Sequence, residues 1–288
     1  NLFVFGSNDI KKVYVDTTSA VFAIENVTTN VGCVAADSVL EIGGDLMFLA
    51  HDGLRPVAGT SRIGDVEIET ISKPVQASLV DMIAHHDMST LNGVVVRGKS
   101  QVRFFVGTDD VTTVDSYGVL GGLSESTNGL NWEYSELVGI RASCCTSGFI
   151  GAEELVLHGD YNGRVYRQEI GSSFAGSDIT AVYSLPYLDL GDTEVRKTIR
   201  KVNTFIRAEG PLTMYLSVAY DWGDYNTARP STYTQGSSGA PTIYGGRGIA
   251  YNGTNVVYGG TSKPIMTSDI QGSGFSVRVT YVSVGQDA

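Results

Sequence analysis

The segment LMFLAHDGLRPV, residues 46–57, decides the fold prediction. It runs from the apolar stretch Leu46-Met47-Phe48-Leu49 through His51-Asp52-Gly53 to a second stretch that starts at Leu54. An Asp-Gly pair between two apolar runs is a strong signal for a tight β-hairpin turn, because both central turn positions need a positive φ. This segment therefore predicts an antiparallel hairpin.

The same pattern of run, polar or glycine turn, and returning run occurs at other places in the first two thirds of the chain. Its first runs begin at Leu2, Leu46, Val94 and Leu155, which are 44, 48 and 61 residues apart. This spacing suits the four-stranded blades of a β-propeller with insertions, and a β-sandwich with irregular hairpins is the alternative. We predict an all-β fold that begins with an irregular, incomplete propeller over residues 1–188. The turns and returning runs are Gly6 to Asp9 with Val13-Tyr14-Val15, Gly98-Lys99-Ser100 with Val102 to Val106, and Asp160 to Gly163 with Val165-Tyr166.

The composition changes near Pro186, and we predict an antiparallel β-sandwich-like domain over residues 189–288. Thr198 to Ala208 and Leu212 to Tyr220 are long alternating stretches joined by a turn at residues 209–211, and this arrangement favours an antiparallel pair. Residues 231–264, rich in Gly, Ser, Thr and Tyr, are predicted as a long loop or an extended hairpin. Strand-like runs lie at both ends of the sequence, so we expect it to be part of a longer chain.

Only one stretch favours a helix of any length, within Ile63 to Ala84. Pro74 suits the first turn of a helix, and Ser72 suits the cap just before it. We predict that this helix packs over an edge or an end of the propeller. The apolar residues at helical spacing are Val75, Leu79, Met82 and Ile83.

Composition limits the functional class. The 288 residues carry a net charge of −11, so a generally basic nucleic-acid binder is not expected. The cysteines, Cys33, Cys144 and Cys145, are odd in number and two are adjacent, so reduced thiols are predicted. No apolar run is long enough to predict a membrane span.

Four candidate sites for metal or nucleotide binding have simpler structural explanations. The cluster His85-His86-Asp87 lacks a second spaced pair of zinc ligands, and His51 and His158 are predicted in turns of separate hairpins. Two acidic stretches, Asp109-Asp110 and Asp160 to Gly163, lack the alternating ligands of a calcium loop. The glycines Gly245 to Gly248 have no Lys-Ser/Thr after them. We predict no metal-binding or cofactor-binding residue.

The candidate catalytic residues also do not form a complete catalytic motif. Cys144-Cys145 lies within Ile140 to Thr146, which we predict as a buried strand where cysteine packs as a small apolar residue. Gly129-Leu130-Asn131-Trp132 matches the end of the aspartate-box turn of sialidase blades, but Thr127 stands in the aspartate position and Glu125 in the serine position. We therefore predict no catalytic residue and no enzyme activity, with a propeller glycosidase as a minor alternative. The arginines that cannot be assigned to a sialidase triad are Arg97, Arg103, Arg141, Arg164 and Arg167.

Two parts of the sequence resemble the tail-hub proteins of short-tailed bacteriophages, also called nozzle or DNA-stabilisation proteins. The first is Gly43 to Arg55 followed by Ile68 to Val75, which resembles a blade hairpin of that family. The second is Val195 to Val202 with Phe205 to Gly210 and Gly274 to Arg278, which resembles the closing β-domain of the same proteins.

This resemblance implies a structural virion protein of the phage tail. Its copies would form a ring, a hexamer by the resemblance, that contacts portal, adaptor and other tail proteins. The ring would line the DNA exit channel and help to retain packaged DNA until ejection, without binding the DNA specifically.

A receptor-binding or carbohydrate-binding tail module is the alternative among non-enzymes. Aromatic faces stack on sugars, although tyrosines in such loops more often pack against neighbouring subunits. The candidate tyrosines are Tyr225, Tyr233, Tyr244, Tyr251 and Tyr258.

Overall fold

The chain is mostly β and is arranged in several small antiparallel sheets. The computed structural model describes residues 2–15, 21–42, 44–57, 70–107, 117–126, 129–205, 212–223, 232–237 and 265–285. It divides into two compact units, Asn1–Glu169 and Ile170–Ala288, named here the N-terminal unit and the C-terminal unit. The prediction of an all-β fold is confirmed. Within the described ranges no sheet closes on itself.

The described part of the N-terminal unit contains four sheets, and each takes its strands consecutively from the chain. All neighbouring strands are antiparallel, and the four predicted hairpins are confirmed as β1–β2, β5–β6, β7–β8 and β12–β13. The first sheet contains β1 (Leu2–Phe5), β2 (Ile10–Val15) and β3 (Phe22–Thr28), and the second contains β4 (Leu40–Ile42), β5 (Asp45–Ala50) and β6 (Gly53–Pro56). The third contains β7 (Asn92–Val96), β8 (Gln101–Val106), β9 (Tyr117–Ser126) and β10 (Gly129–Val138), and the fourth contains β11 (Cys144–Ile150), β12 (Glu153–Gly159) and β13 (Val165–Arg167).

The second sheet is buried on both of its faces. Phe48 and Ala50 of β5 pack with Ile10 of the first sheet, whereas Met47 and Leu49 belong to a core shared with the third sheet. Successive side chains of a strand point to opposite faces, so a strand covered on both sides must be apolar throughout. This burial explains the continuous apolar run that made the hairpin visible in the sequence.

The third sheet is covered in the same way. Val95 and Phe104 face the core shared with the second sheet, whereas Val94 and Phe105 pack with Val156 of the fourth sheet. The four sheets therefore stack face to face in chain order, with an apolar layer at each of the three junctions.

The predicted helix is confirmed as α1 (Gln76–His85), which follows a 3₁₀ turn at Lys73–Val75 with Pro74 near its start. Leu79 and Met82 are buried in the core between the second and third sheets. Residues 63–69 of the predicted segment lie outside the described part. Ser72 occupies the N-cap position of this 3₁₀ turn, as predicted, but its side chain makes no capping hydrogen bond. Its hydroxyl instead accepts a hydrogen bond from the Leu54 backbone N–H at 2.9 Å.

The described residues of the C-terminal unit form one four-stranded sheet and three two-stranded pairs. Side chains Leu216 and Val218 form its core together with Val202. Its strands are β14 (Ser173–Phe174), β15 (Ser177–Asp178), β16 (Thr180–Ser184), β17 (Lys197–Thr198), β18 (Lys201–Phe205), β19 (Leu212–Tyr220), β20 (Tyr233–Ser237), β21 (Ile265–Asp269), β22 (Ser273–Gly274) and β23 (Val277–Val284).

One expectation about the strands of this unit differs from the structure. The predicted pairing of Thr198 to Ala208 with Leu212 to Tyr220 is wrong: β18 pairs with β21, and β19 has β20 on one side and β23 on the other. The compact C-terminal unit begins at Ile170, and the domain boundary between residues 188 and 189 stays a prediction. Strand β16 pairs with β23, and this long-range pairing places it in the C-terminal unit.

Candidate interaction surface

The residues first considered as metal ligands have separate structural roles. The His85 Nδ1 atom lies 3.0 Å from the Asp81 carboxylate one turn earlier in α1. The His86 ring stacks on Tyr117, and the Asp87 carboxylate accepts a hydrogen bond from the Ser89 N–H at 2.9 Å. Within the described residues, no three His, Cys, Asp or Glu side chains are grouped as a metal site.

Asp160, the first residue of the other acidic candidate, is used by its own turn. Its Oδ1 atom accepts hydrogen bonds from the N–H groups of Asn162 and Arg164, both at 2.8 Å, and Oδ2 accepts one from the Tyr166 hydroxyl. These hydrogen bonds hold the pKa of Asp160 below its ordinary value. Asp109-Asp110 and Gly245 to Gly248 lie outside the described residues.

His158 is not in a turn, and that prediction is wrong. Strand β12 extends to Gly159, so His158 is a buried strand residue. Its ring stacks on Tyr166, and its Nδ1 atom accepts a hydrogen bond from the Gln168 side chain at 3.1 Å. Burial lowers the pKa of His158, and the charge of Asp160 opposes this effect only in part.

Gln168 connects His158 to a partly buried ion pair that was not predicted from the sequence. The Arg103 guanidinium donates to the Gln168 side-chain oxygen at 2.7 Å and also contacts the Glu169 carboxylate, which receives a second hydrogen bond from Lys99. Burial alone would raise the pKa of Glu169, but these cations hold it below its ordinary value. The sequence signal was a single arginine inside the apolar run of β8. This cluster joins the third and fourth sheets.

The adjacent cysteines differ in environment, and the predicted buried strand over Ile140 to Thr146 is wrong. The strand begins only at Cys144, whose side chain is exposed. Cys145 instead packs against the apolar core between the third and fourth sheets. Burial, with smaller contributions from Cys144 and Asp37, raises the pKa of Cys145 to about 12. Such a thiol is not an activated nucleophile.

The remaining enzyme candidates are dispersed. Gly129 to Trp132 lies at the start of β10, and its neighbour Glu125 pairs across with Leu130 within the β9–β10 hairpin. Arg167 pairs with Glu153, Arg141 lies over the Tyr161 ring, and Arg97 and Arg164 are exposed in turns.

Of the tyrosines considered for sugar binding, only Tyr233 falls within the described residues. Its ring packs in the core of the C-terminal unit, and its hydroxyl accepts a hydrogen bond from the Gln271 N–H at 3.2 Å. It is therefore a packing residue.

Among the residues that the structure describes, no other sheet covers the outer face of the first sheet. Cross-strand pairing places Leu2, Val13 and Ile24 in one row of this face, opposite the side that packs on Phe48. Leu2 and Ile24 are 63% and 68% exposed, and Phe22 at the start of β3 is 74% exposed. We call this surface the first outer face.

The fourth sheet has a corresponding outer face on the other end of the stack. Ile150 and Val165 on this face are 71% and 74% exposed, and Leu155 and Leu157 between them are only partly buried. Cys144 also lies here, since it pairs with Gly159, which pairs with Val165. We call this surface the fourth outer face. Scattered exposed apolar residues are normal, but rows of them on a sheet face indicate contact with another molecule or segment.

No protein-family model matches this chain, and no curated protein matches it in sequence. No helix in the described ranges is long and apolar enough to span a bilayer.

Proposed function

We propose that this protein is a structural, ring-forming subunit of a bacteriophage tail, a hub or nozzle component below the portal that lines the DNA exit channel. In this proposal it is a virion protein without catalytic activity. It helps to retain packaged DNA, and its partners are copies of itself and the neighbouring portal, adaptor and tail proteins.

The stack of four sheets in the N-terminal unit is the observation that supports this proposal most. Each sheet is an antiparallel meander of consecutive strands, and each packs face to face on the next. Consecutive meanders packed in this way are typical of propeller blades. We therefore propose an irregular propeller for this unit and a sandwich-like fold for the C-terminal unit. The resemblance of residues 43–55 to a tail-hub blade hairpin supports the same assignment.

The net charge of −11 supports a channel role. DNA is strongly anionic, so an acidic wall repels it and lets it slide, whereas a basic wall would hold it by releasing counterions. A protein that only guides DNA needs this repulsion and does not need base contacts.

The oligomeric state of the complete protein tests the proposal. Sedimentation and negative-stain microscopy are expected to show closed rings with a central channel, of about six copies by the family resemblance, because head-to-tail contacts form rings when the rotation between subunits closes. Fluorescence anisotropy with a labelled DNA duplex at low salt is expected to show no tight binding.

A clean monomer, or nanomolar DNA binding that weakens steeply with salt, would contradict the proposal. Turnover in a screen of chromogenic sialosides and related glycosides would instead favour the glycosidase alternative. Binding on a glycan array by a monomeric chain would favour a receptor-binding module.

A further inference from the structure

Both outer faces of the stack carry exposed apolar side chains. Strand β1 has the run Leu2-Phe3-Val4-Phe5, in which Phe3 and Phe5 pack on the second sheet while Leu2 and Val4 are exposed. Continuous apolar runs of this kind belong to strands that are covered on both sides. Strand β1 therefore has the composition of an inner strand but lies at one end of the stack, and the fourth sheet leaves Ile150 and Val165 exposed at the other end.

We infer that the fourth outer face of one copy docks on the first outer face of a second copy. This inference rests on the proposed ring and names the surfaces that would join its subunits. Within one chain, the face of each sheet that points away from the preceding sheet packs on the following sheet. Placing the next copy's first sheet on the fourth sheet repeats this arrangement between molecules, as a heterologous contact.

The side-chain sizes on the two faces are complementary. The first outer face projects large side chains, with Phe22 and Ile24 on its edge strand. The fourth outer face has Gly148 paired across the strands with the partly buried Leu155. A Cβ atom added at Gly148 would meet no atom within 4 Å, so the surface above it is open. Large side chains of one sheet can therefore enter the shallow surface of the other.

The charges on the two faces are balanced, although the chain is strongly acidic. Lys11 on the first outer face contacts Asp9 at 3.2 Å, and Arg167 on the fourth outer face pairs with Glu153. Each face thus carries a cation together with its own anion, and their approach is not opposed by repulsion between like charges. Two copies with a net charge of −11 each need such neutral faces to associate.

Single charged substitutions on each face test the inference in the full chain. Ile24→Glu on the first outer face and Val165→Glu on the fourth change highly exposed side chains, so the fold is expected to persist. Circular dichroism and thermal unfolding check this for each variant. Val80→Glu is the control, since Val80 is an exposed apolar residue on α1 away from both faces.

Sedimentation velocity is expected to show an oligomer for the wild type and for Val80→Glu, and a 30.7 kDa monomer for each of the other variants. A 1:1 mixture of Ile24→Glu and Val165→Glu chains keeps one intact junction, the fourth outer face of the first variant on the first outer face of the second. That mixture is expected to form a 1:1 dimer and no larger species.

The outcomes separate this inference from the proposed function. If the wild type forms rings and both face variants form them equally well, the docking inference is overturned while the ring proposal stands. A mixture that stays monomeric, or a single variant that dimerises by itself, also overturns the heterologous contact. A monomeric wild type overturns both.

Discussion

The hydroxyl of Ser72 accepts a hydrogen bond from the backbone N–H of Leu54 at 2.9 Å, and both residues are completely buried. The Leu54 carbonyl oxygen accepts the N–H of Ile71 at 3.1 Å, so the chain before α1 lies along the edge of β6. Gly53 has a φ of +131°, and a Cβ atom there would lie 2.4 Å from Ser72 Oγ. This close approach requires glycine at the first position of β6.

Ser72→Ala is expected to lower the free energy of unfolding of the N-terminal unit by about 1–3 kcal/mol, because the buried Leu54 N–H loses its acceptor. The measurement is urea unfolding followed by Trp132 fluorescence in a Trp222→Phe background, which leaves one tryptophan. Ser135→Ala is the matched control, because its hydroxyl is exposed, and its effect is expected to stay within about 0.5 kcal/mol. Equal effects of the two variants would contradict the role of Ser72.

Glu169→Gln is expected to destabilise the N-terminal unit by about 1.5–3 kcal/mol, because the buried Arg103 guanidinium loses its charged partner. Glu153→Gln alters the more exposed pair with Arg167 and is expected to change stability by less than about 1 kcal/mol. The same fluorescence measurement compares the two. An Arg103→Met/Glu169→Gln double variant that shows simple additivity would argue against coupling of the pair.

The stability of the N-terminal unit is expected to fall as the pH drops below about 6.5. The pKa of buried His158 is lowered in the folded state, so the unfolded chain binds more protons in this range and unfolding becomes easier. A second decline is expected below about 4.5, where the lowered pKa of Glu169 has the same sign of effect. Urea unfolding at a series of pH values measures both.

His158→Gln removes the titrating group and is expected to flatten the decline between pH 7 and pH 5.5, whatever its effect on stability at pH 7. His85→Gln changes an exposed histidine and serves as the control. The same slope in both variants would show that His158 does not carry this dependence.

The cysteines are expected to react with a thiol reagent at different rates. At pH 8 the exposed Cys144 reacts first, whereas the packed Cys145, with its pKa raised to about 12, reacts only on opening of the fold. Mass spectrometry of iodoacetamide-labelled peptides measures each rate. Cys144→Ser is expected to remove the fast reaction and Cys145→Ser to leave it, so a fast phase that persists in Cys144→Ser would disprove the assignment.

Local sequence was sufficient for the elements whose hydrogen-bond partners lie close along the chain. The four hairpins and α1 follow from short turns, apolar runs and helical spacing that are visible within about 20 residues. The environments of the polar residues could not be predicted from neighbouring sequence. The turn that begins at Asp160 predicts a turn position for His158, although His158 lies in β12. Arg103 has its partners in Gln168 and Glu169, which are distant in sequence.

The amino-acid sequence by itself determined that this protein is β-rich, acidic and divided into hairpins, because those properties depend on composition and neighbouring residues. Only the tertiary structure decided that β16 pairs with β23 and β18 with β21, since many strands share the same alternation and any of them could pair. It also decided which apolar rows are covered. Leu2 and Phe48 both lie in apolar runs, but stacking buries Phe48 and leaves Leu2 at an open end.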